Sequence, residues 1–287
     1  MKSRVRYLTI LFAGIAIALT MFWGCTKKPA DTQTSGSVER PTISTADRAM
    51  AAIEVQNAYS KHAYYHTIGA HCEEMEDIWV KEGGEYAETA RWTRMGTMVE
   101  EGITLIKQHY CTDNEESKKQ KLEAISKVYP EVKNVPENIG IGYGYTIHTQ
   151  TTPIIEIAGD GKTAKGIWYS PGIGTNVEIR NGKPEISGGW FWEKYAVDFV
   201  KEDGEWKIWH LVNVMDPTPS SWGGQQERQA QGAPPGEAGQ GQQGGGGDSQ
   251  GLKPAADPYE PWSPTSKPRI YPKFPEPYYT FSETFSY

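Results

Sequence analysis

Three features are scarce in this chain of 287 residues: cysteine, net positive charge and phosphate-binding loops. Its three cysteines contain no C-x-x-C pair, which excludes a zinc finger or a dithiol redox site. The net charge of -7 argues against a nucleic-acid partner, because phosphate recognition needs a basic face. The glycine-rich stretch 140–144 is not followed by a predicted helix, so it indicates a strand entry and not a nucleotide-phosphate loop.

Long apolar runs are also scarce, apart from one at the N-terminus. Residues 7–23 are almost uninterruptedly apolar and follow three basic residues, a pattern that predicts an export signal, with an uncleaved anchor as the alternative. Gly24 before Cys25 resembles a bacterial lipobox, although the two aromatic residues before it depart from that pattern. We therefore expect an exported protein of the cell envelope, bound to the membrane by a lipid on Cys25. A signal peptide would occupy residues 1–25 and a flexible Ser/Thr/Pro-rich tether residues 26–44.

Composition divides the rest of the chain into three parts. Residues 45–216 carry the periodic apolar patterns of a folded domain, and residues 217–258 form a Gly/Gln/Pro-rich linker that cannot bury a core. Residues 259–287 combine many prolines with many aromatics. This last segment either lies along the domain's own surface, or it wraps a second subunit or covers a pocket mouth. An arm that wraps a second subunit would make the protein a homo-oligomer.

Two cysteines remain once Cys25 is assigned to lipidation. An oxidising compartment permits a disulfide between Cys72 and Cys111, whereas a reducing habitat would leave two buried thiols. Two cysteines alone do not make a disulfide framework, so we expect thiols.

Helical periodicity dominates the first part of the domain. Thr45 or Asp47 is the predicted cap of a helix over about Arg48 to Thr67. The other predicted elements before the sheet are, in chain order, a helix over about 72–80, a strand over 88–94, a helix opening near Gly96 and a solvated charged helix over 113–127.

The first helix carries the residues best suited to chemistry. Tyr59, His62 and His66 recur at i, i+3 and i+4 spacing and therefore lie on one stripe. A His pair one turn apart is also the geometry of a zinc or iron site. A third ligand would have to come from His148, His210 or a carboxylate across the pocket. Since most helical His pairs lack such a ligand, we expect neither a metal nor another cofactor.

Two β-hairpins follow the helices. Tight Asp-Gly turns at 159–161 and 202–204 each join two β-rich runs, and this predicts a curved antiparallel sheet. Alternation places His148 with Thr146 and Gln150 on one face. It groups Asp198 with Trp190, Trp192, Lys194 and Ala196, and it groups His210 with Trp206 and Ile208. The sequence does not determine which of these faces is concave. Asp198 and His210 are therefore either alternative site residues or members of one site.

The two hairpins resemble the SnoaL-like branch of the nuclear transport factor 2-like superfamily. One pattern is a strand His followed by I-E-I-x-G-D-x-x-T-A, here His148 and residues 155–164. The other is a Tyr opening a strand that ends in x-D-G-x-W-K-I, here Tyr195 and residues 203–208. The resemblance covers about residues 46–215. It implies an α+β fold in which a curved antiparallel sheet wraps N-terminal helices and forms a cone with an internal pocket.

The resemblance further implies proton transfer by a strand histidine. We expect His148 and His66 to divide the acid and base roles, since imidazole titrates near neutrality, with His62 beside them. Tyr59 or Tyr64 would polarise a substrate carbonyl. The helix lacks the Asp that related cones carry near its end, which argues against an isomerase of the ketosteroid type. The expected function is a cofactor-independent, dehydratase-like lyase or isomerase.

Abundant tryptophan and tyrosine favour a small apolar, aromatic or polycyclic ligand. The alternative function is a lipoprotein that uses the same pocket to bind a ligand or a protein without catalysis. Convergence of at least two of His62, His66, His148 and Asp198 in the cavity would favour the enzyme.

Overall fold

The computed structural model describes residues 40, 42–216, 251–263, 265 and 267–287. The predicted signal peptide, the lipidation of Cys25, most of the tether and residues 217–250 of the linker lie outside these residues. Among the helices within the described ranges, none has both the length and the apolar character needed to span a bilayer.

Two helices form the N-terminal layer. Helix α1 spans Thr45–Ile68, and its N-cap is Ser44, whose hydroxyl accepts the Asp47 N–H at 3.0 Å. The sequence predicted Thr45 or Asp47 as the cap, and this was wrong because the cap is the residue just before Thr45. Gly69 ends the helix with φ at 70°, a left-handed conformation that glycine adopts without strain. Helix α2 follows at His71–Ile78.

The segment after α2 corrects one prediction and confirms another. A 3₁₀ turn at Ala87–Thr89 leads into strands β1, Arg91–Arg94, and β2, Met98–Glu101. Residues 95 and 96 both have positive φ and make the turn of this hairpin, so no helix opens near Gly96. Helix α3, Ile103–Lys107, continues through a π-helical turn, Gln108–Thr112, into α4, Asp113–Val128, which confirms the predicted charged helix.

The remaining strands build one curved sheet, as the sequence predicted. After a 3₁₀ segment at Pro136–Gly142 come β3, Tyr145–His148, β4, Thr151–Ile157, β5, Thr163–Arg180, β6, Lys183–Glu202, β7, Glu205–Asp216, and β8, Lys253–Pro254. The order is β3-β5-β6-β7-β1-β2-β8, with β4 also on β5. Neighbouring strands are antiparallel except β1 and β7, which are parallel. Both predicted hairpin turns are present, between β4 and β5 and between β6 and β7.

The sheet has two faces with separate apolar clusters. On the inner face, Tyr195, Val197 and Phe199 of β6 pack in the main core with Val55 and Tyr59 of α1. On the outer face, a smaller cluster is formed by residues of β6, β7 and the C-terminal segment: Ala196, Val212, Val214, Tyr259 and Tyr287. The inner-face cluster is the larger of the two, so its burial contributes more to the stability of the domain.

A β-bulge determines which face His210 occupies. Asp198 pairs with His210, but the next residue, Phe199, pairs with Ile208, so Trp209 is inserted without a partner. One extra residue reverses the alternation along a strand. Ile208 therefore packs in the main core while His210 lies on the outer face. The predicted grouping of His210 with Trp206 and Ile208 was wrong for this reason.

The described end of the predicted linker, from residue 251, and the described part of the C-terminal segment, residues 259–287, pack on their own domain. Strand β8 pairs with β2, the Gly159 N–H donates to the Tyr278 carbonyl at 2.9 Å, and Tyr287 is buried on the outer face. This is the first of the two arrangements that the sequence left open. The structure also contains a disulfide between Cys72 and Cys111, so the prediction of free thiols was wrong.

Candidate functional site

The inner face holds a buried polar cluster, of which one half comes from helices. His62 and His66 lie one turn apart on α1, as their spacing predicted, and both are buried. Glu74 of α2 is fully buried opposite them, with its Oε1 2.7 Å from His62 Nδ1 and its Oε2 3.8 Å from His66 Nε2. We call His62, His66 and Glu74 the helix triad. Helix α2 supplies the carboxylate that α1 lacks.

Two further side chains fix the position of Glu74. The Tyr110 hydroxyl, from the π-helical turn, donates to Glu74 Oε2 at 2.7 Å and lies 2.5 Å from His66 Nε2. The indole N–H of Trp79 points at Glu74 Oε1 over 3.5 Å. Burial and the nearby Glu74 charge raise the pKa of Tyr110 well above its ordinary value, so its phenol stays protonated and can donate.

The other half of the cluster comes from strands. His148 of β3 is buried, and its Nδ1 lies 3.1 Å from Glu193 Oε2. The Tyr195 hydroxyl donates to the same Glu193 oxygen at 2.8 Å and lies 3.4 Å from His148 Nδ1. The Ser170 hydroxyl also lies 3.4 Å from this nitrogen. We call His148, Glu193 and Tyr195 the strand triad. A carboxylate on Nδ1 favours the tautomer that leaves Nε2 as the basic nitrogen.

A glycine permits this packing beside His148. Gly172 of β5 pairs with His148, and a Cβ atom on Gly172 would lie 2.2 Å from the Ile147 carbonyl oxygen and 2.3 Å from the Phe191 ring. Only glycine therefore allows β3 and the Phe191 side chain to approach so closely at this point.

The helix triad and the strand triad meet in the interior. The ring of His148 lies 4.6 Å from that of His66 and 5.9 Å from that of His62, measured between centroids. Burial, followed by the neighbouring His62, His148 and His71, lowers the pKa of His66 well below 6.5. His71, next to His66, has its pKa lowered to about 4, mainly by burial. His66 and His71 are thus kept largely neutral at pH 7.

Several buried polar atoms of this cluster have no hydrogen-bond partner within the described residues. They comprise Tyr59 Oη, His62 Nε2, His66 Nδ1, His71 Nδ1 and Glu193 Oε1. Native proteins leave few such groups, because each unsatisfied buried group costs about 1–3 kcal/mol. Concentration of these atoms around the two triads indicates a place where a bound molecule or water supplies the missing partners.

Three predicted site residues do not belong to this cluster. Tyr64 is 78% exposed, because it lies on the side of α1 opposite the buried stripe. Asp198 and His210 are buried on the outer face, separated from the cluster by the sheet itself. Of the predicted residues, Tyr59, His62, His66 and His148 do converge. Tyr59 stacks on His62 with ring centroids 5.3 Å apart.

Asp198 and His210 belong to a separate group, the outer-face cluster, which we define as Lys165, Asp198 and His210. Lys165 Nζ donates to Asp198 Oδ1 at 2.6 Å, and His210 Nδ1 lies 2.8 Å from Asp198 Oδ2. Tyr287 N–H donates to the same oxygen at 2.9 Å. Ser286 Oγ is 2.9 Å from His210 Nδ1, but Asp198 occupies that nitrogen and the Thr89 carbonyl occupies Nε2. A nucleophilic triad needs the hydroxyl and the carboxylate on different ring nitrogens, so this is not one.

Sequence reasoning missed Glu74, Glu193 and Tyr110 as members of the site. Glu193 had a readable signal: it alternates with Tyr195 and Val197 and so places a carboxylate on an otherwise apolar strand face. Glu74 and Tyr110 had no comparable signal, because their positions depend on how α2 and the π-helical turn pack against α1.

The tryptophans divide between core and surface. Trp79 and Trp168 are among the largest fully buried side chains, whereas Trp190 and Trp192 of β6 are exposed. Trp168 contacts Tyr59 with ring centroids 4.4 Å apart, so part of the aromatic content does border the polar cluster.

Comparison with known families gives one match. Residues 119–212 match the family model described as the SnoaL-like domain. This range contains the whole strand triad and excludes α1 and α2, which carry the helix triad. No curated protein was found to match the chain.

Solved structures with a similar fold include three of small-molecule enzymes or candidates. A scytalone dehydratase candidate from Novosphingobium aromaticivorans is 14% identical, with a TM-score of 0.41, 61% of this chain covered and 89% of the other. A dehydratase candidate of the nuclear transport factor 2-like family from Streptomyces avermitilis is 12% identical, with a TM-score of 0.42 and coverages of 60% and 99%. A hexachlorocyclohexane dehydrochlorinase from Novosphingobium barchaimii is 16% identical, with a TM-score of 0.37 and coverages of 61% and 92%. At these identities and scores, none of them bears on the reaction of this chain.

Proposed function

Because residues 119–212 match the SnoaL-like domain, we propose that the chain is a small-molecule lyase or isomerase that works by acid–base chemistry. The supporting observation is the convergence of His148, held by Glu193, with His62 and His66 inside the domain. An elimination of this class needs a base that removes a proton from carbon and an acid that protonates the leaving oxygen.

The strand triad is suited to the base role. Glu193 holds His148 through Nδ1, so a proton taken up on the imidazole is stabilised by a buried carboxylate. His66 lies edge-on to His148 and is the candidate acid: because burial keeps it neutral, it would first accept the proton that His148 removes and then deliver it to the departing hydroxyl, which leaves as water. Burial raises the pKa of Tyr59 well above its ordinary value, so the phenol stays neutral, and its Oη has no partner among the described residues. Tyr59 can therefore donate to a substrate carbonyl and stabilise an enolate.

The proposed substrate is apolar, aromatic or polycyclic and carries a carbonyl next to an acidic C–H. Tyr59, Trp168 and Phe191 border the polar cluster with their rings, and rings of this kind pack against flat apolar ligands. The few polar atoms without partners would then fix the orientation of such a ligand.

A screen of ring-bearing β-hydroxy ketones, followed by ultraviolet detection of the enone, tests the reaction. Once a substrate turns over, His148→Ala should lower turnover about a hundredfold or more while ligand affinity stays nearly intact. The matched control is Tyr64→Ala, an exposed residue of α1, which should turn over like the wild type. Unchanged turnover in His148→Ala would remove His148 from the mechanism. A ligand that co-purifies and is never altered would instead support the non-catalytic binding protein.

Attachment to the cell envelope through Cys25 is the second part of the proposal. It is supported by the basic residues, the apolar run and the Gly24-Cys25 pair in the sequence. Radiolabelled palmitate should be incorporated into the wild type and not into Cys25→Ser. Labelling that survives the substitution would contradict the lipid anchor.

A further inference from the structure

We propose that the helix triad, His62, His66 and Glu74, binds a divalent transition-metal ion, with zinc the ion that its donor atoms suit best. The three donor atoms all lie within 4.8 Å of one another, and all three residues are buried. This inference goes beyond the acid–base proposal and does not depend on it; in the metal-bound form His66 is a ligand, and the ion would replace it as the acid acting on the substrate oxygen. It also identifies the carboxylate that a helical His pair needs as a third ligand, which is Glu74 and neither His148 nor His210.

The donor set fits the chemistry of zinc. Two imidazole nitrogens and one carboxylate oxygen are a common protein ligand set for catalytic zinc, which keeps a fourth position open. Donors around a tetrahedral ion with bonds of about 2.0–2.2 Å are themselves about 3.3–3.6 Å apart. The separations of 2.7 Å from His62 Nδ1 to Glu74 Oε1 and 3.8 Å from His66 Nε2 to Glu74 Oε2 lie on either side of that value. No two of the three donor atoms lie more than 4.8 Å apart, so side-chain adjustments that draw the most distant pair together would seat the ion.

The charge of Glu74 provides an independent reason. Its side chain is completely buried, and the ion pairs recorded for it in the described part of the chain are with His62 and His66, not with lysine or arginine. Buried carboxylates are costly unless they are paired with a cation or coordinate a metal. The outer-face cluster shows the ordinary solution, because the equally buried Asp198 meets the ammonium of Lys165 at 2.6 Å. A divalent ion would neutralise the Glu74 carboxylate as the Lys165 ammonium neutralises the Asp198 carboxylate.

Neighbouring residues hold Glu74 of the helix triad in place, as they do for metal-binding side chains in other proteins. Tyr110 O–H and Trp79 N–H both point at Glu74, one at each oxygen, and the Tyr110 hydroxyl, which also lies 2.5 Å from His66 Nε2, would have to turn from that nitrogen to admit the ion. Ligating carboxylates are usually oriented in this way by hydrogen bonds from a second layer of residues. The Cys72–Cys111 disulfide joins the neighbours of His71 and Tyr110 and so ties α2 to the π-helical turn. The ligands thus come from rigid helices.

The position of the triad gives the ion a use. His66 touches His148 of the strand triad, and the helix triad lies outside the residues that match the SnoaL-like domain. A bound divalent ion would supply Lewis acidity to a substrate oxygen while His148 moves a proton. The metal ion of the helix triad would therefore add to the acid–base residues of the strand triad.

Cobalt binding to the full-length chain tests the proposal directly. The protein, stripped with a chelator, is titrated with Co²⁺ while visible d–d absorption is recorded, and Zn²⁺ is then added in competition. We expect one Co²⁺ per chain with the intense bands of low coordination number, and we expect Zn²⁺ to displace it. Inorganic mass spectrometry should find one zinc per chain after dialysis. Weak bands of six-coordinate cobalt, or loss of zinc on dialysis, would overturn the proposal.

Substitutions on α2 locate the ion. Glu74→Gln should weaken zinc binding at least tenfold, measured by competition with a chromophoric chelator. Glu76→Gln, which changes an exposed carboxylate on the same helix, should bind like the wild type. Equal affinity of the wild type and Glu74→Gln would assign the ion to the surface and overturn the proposal. Where Glu74→Gln fails to fold, as judged by circular dichroism, His66→Ala replaces it under the same criteria.

The metal proposal and the lyase proposal fail separately. A chain that binds no zinc but loses turnover in His148→Ala retains the lyase and discards the metal. A chain that binds one zinc through Glu74 and shows no turnover on any tested compound retains the metal site and discards the proposed reaction.

Discussion

The two faces of the sheet each bury a carboxylate–histidine group, but they complete it differently. On the outer face, Asp198 receives hydrogen bonds at both oxygens, and both ring nitrogens of His210 have partners. On the inner face, His62, His66 and Glu193 each keep one atom without a hydrogen-bond partner among the described residues. Burial is complete in both cases, so burial alone does not distinguish them.

Satisfaction of hydrogen bonds is what distinguishes a structural group from a functional one here. Fully satisfied polar networks rigidify a fold, whereas unpartnered buried atoms are costly and persist where something else binds. The outer-face cluster is sealed by the chain's own C-terminal segment, with the Lys165 ammonium 4.8, 4.5 and 4.7 Å from the ring centroids of Phe281, Phe285 and Tyr287. The inner cluster has no such internal occupant within the described residues, and this is why we assign the chemistry to it.

Deletion of residues 259–287 should have the largest effect on stability. It uncovers the outer-face cluster and removes several buried aromatics, so the free energy of unfolding should fall by about 5 kcal/mol or more. Urea denaturation monitored by tryptophan fluorescence measures the change. Because the segment packs on its own domain, the oligomeric state from light scattering should not change. Undiminished stability would show that the segment contributes little to the outer face.

Removal of one partner of the outer-face ion pair should come next. Asp198→Ala leaves the Lys165 charge buried and unpaired, which typically costs about 3–5 kcal/mol. The control Asp203→Ala breaks an exposed pair with Lys81, which solvent screens, and should change stability much less. Thermal unfolding of both variants measures the difference. A loss in Asp198→Ala no greater than in the control would contradict a structural role for the outer-face cluster.

An isosteric change on the inner face should act on turnover rather than on stability. Glu193→Gln keeps the volume of the side chain but removes the charge that favours protonated His148, so turnover should fall about tenfold to a hundredfold. Glu193 is a positioning residue, so the pH at which turnover is half-maximal should also move. The melting temperature serves as the control and should change little. An unshifted pH profile would reduce Glu193 to a packing residue.

The pH dependence of stability should reveal His210 specifically. Burial lowers its pKa, although Asp198 opposes this effect and the charge of Arg91 adds to it. Burial also disfavours the Asp198 charge, but His210 and Lys165 outweigh it and lower the pKa of that carboxyl. As the pH is lowered, the unfolded chain therefore takes up protons before the folded chain does. Stability falls as pH drops below about 6.5 because of His210, whereas the contribution of Asp198 is lost only below about 3.9. In His210→Gln the loss between pH 7 and pH 5 should be smaller than in the wild type, measured by urea denaturation at each pH. An identical loss in both proteins would contradict this assignment.

Tyr64→Ala should have the smallest effect. The side chain is exposed on the far side of α1, so its removal should alter stability by less than about 0.5 kcal/mol and leave turnover unchanged. Parallel measurement with Tyr59→Phe, which removes the unpartnered inner hydroxyl, compares the two faces of the same helix. A larger effect for Tyr64 than for Tyr59 would reverse our orientation of α1.

Much of the architecture could be predicted because it is encoded locally. Asp-Gly turns define the hairpins, and the 3.6-residue period of α1 places Tyr59, His62 and His66 on one stripe. The same period, applied strictly, would have excluded Tyr64. These successes share one property: each depends on residues within a few positions of one another.

The failures depend on long-range packing. The face of His210 was mistaken because the bulge at Trp209 is a property of two paired strands and leaves no trace in the alternation of one. Glu74 joins His62 and His66 only through the angle between α1 and α2. The disulfide was missed because the spacing of two cysteines does not report their distance in the fold.

The Cys72–Cys111 disulfide closes a ring that contains α2, the β1–β2 hairpin and α3. Part of the helical layer and an edge of the sheet are therefore one covalent loop, with Glu74 inside it and Tyr110 beside its closing residue. Chain-entropy estimates assign about 4 kcal/mol to closing a loop of this length. Reduction of the disulfide would loosen the segment that positions Glu74 before it affected β5 or β6, which lie outside the ring. The redox state of its surroundings thus sets how firmly the protein holds one half of its site, independently of any ligand.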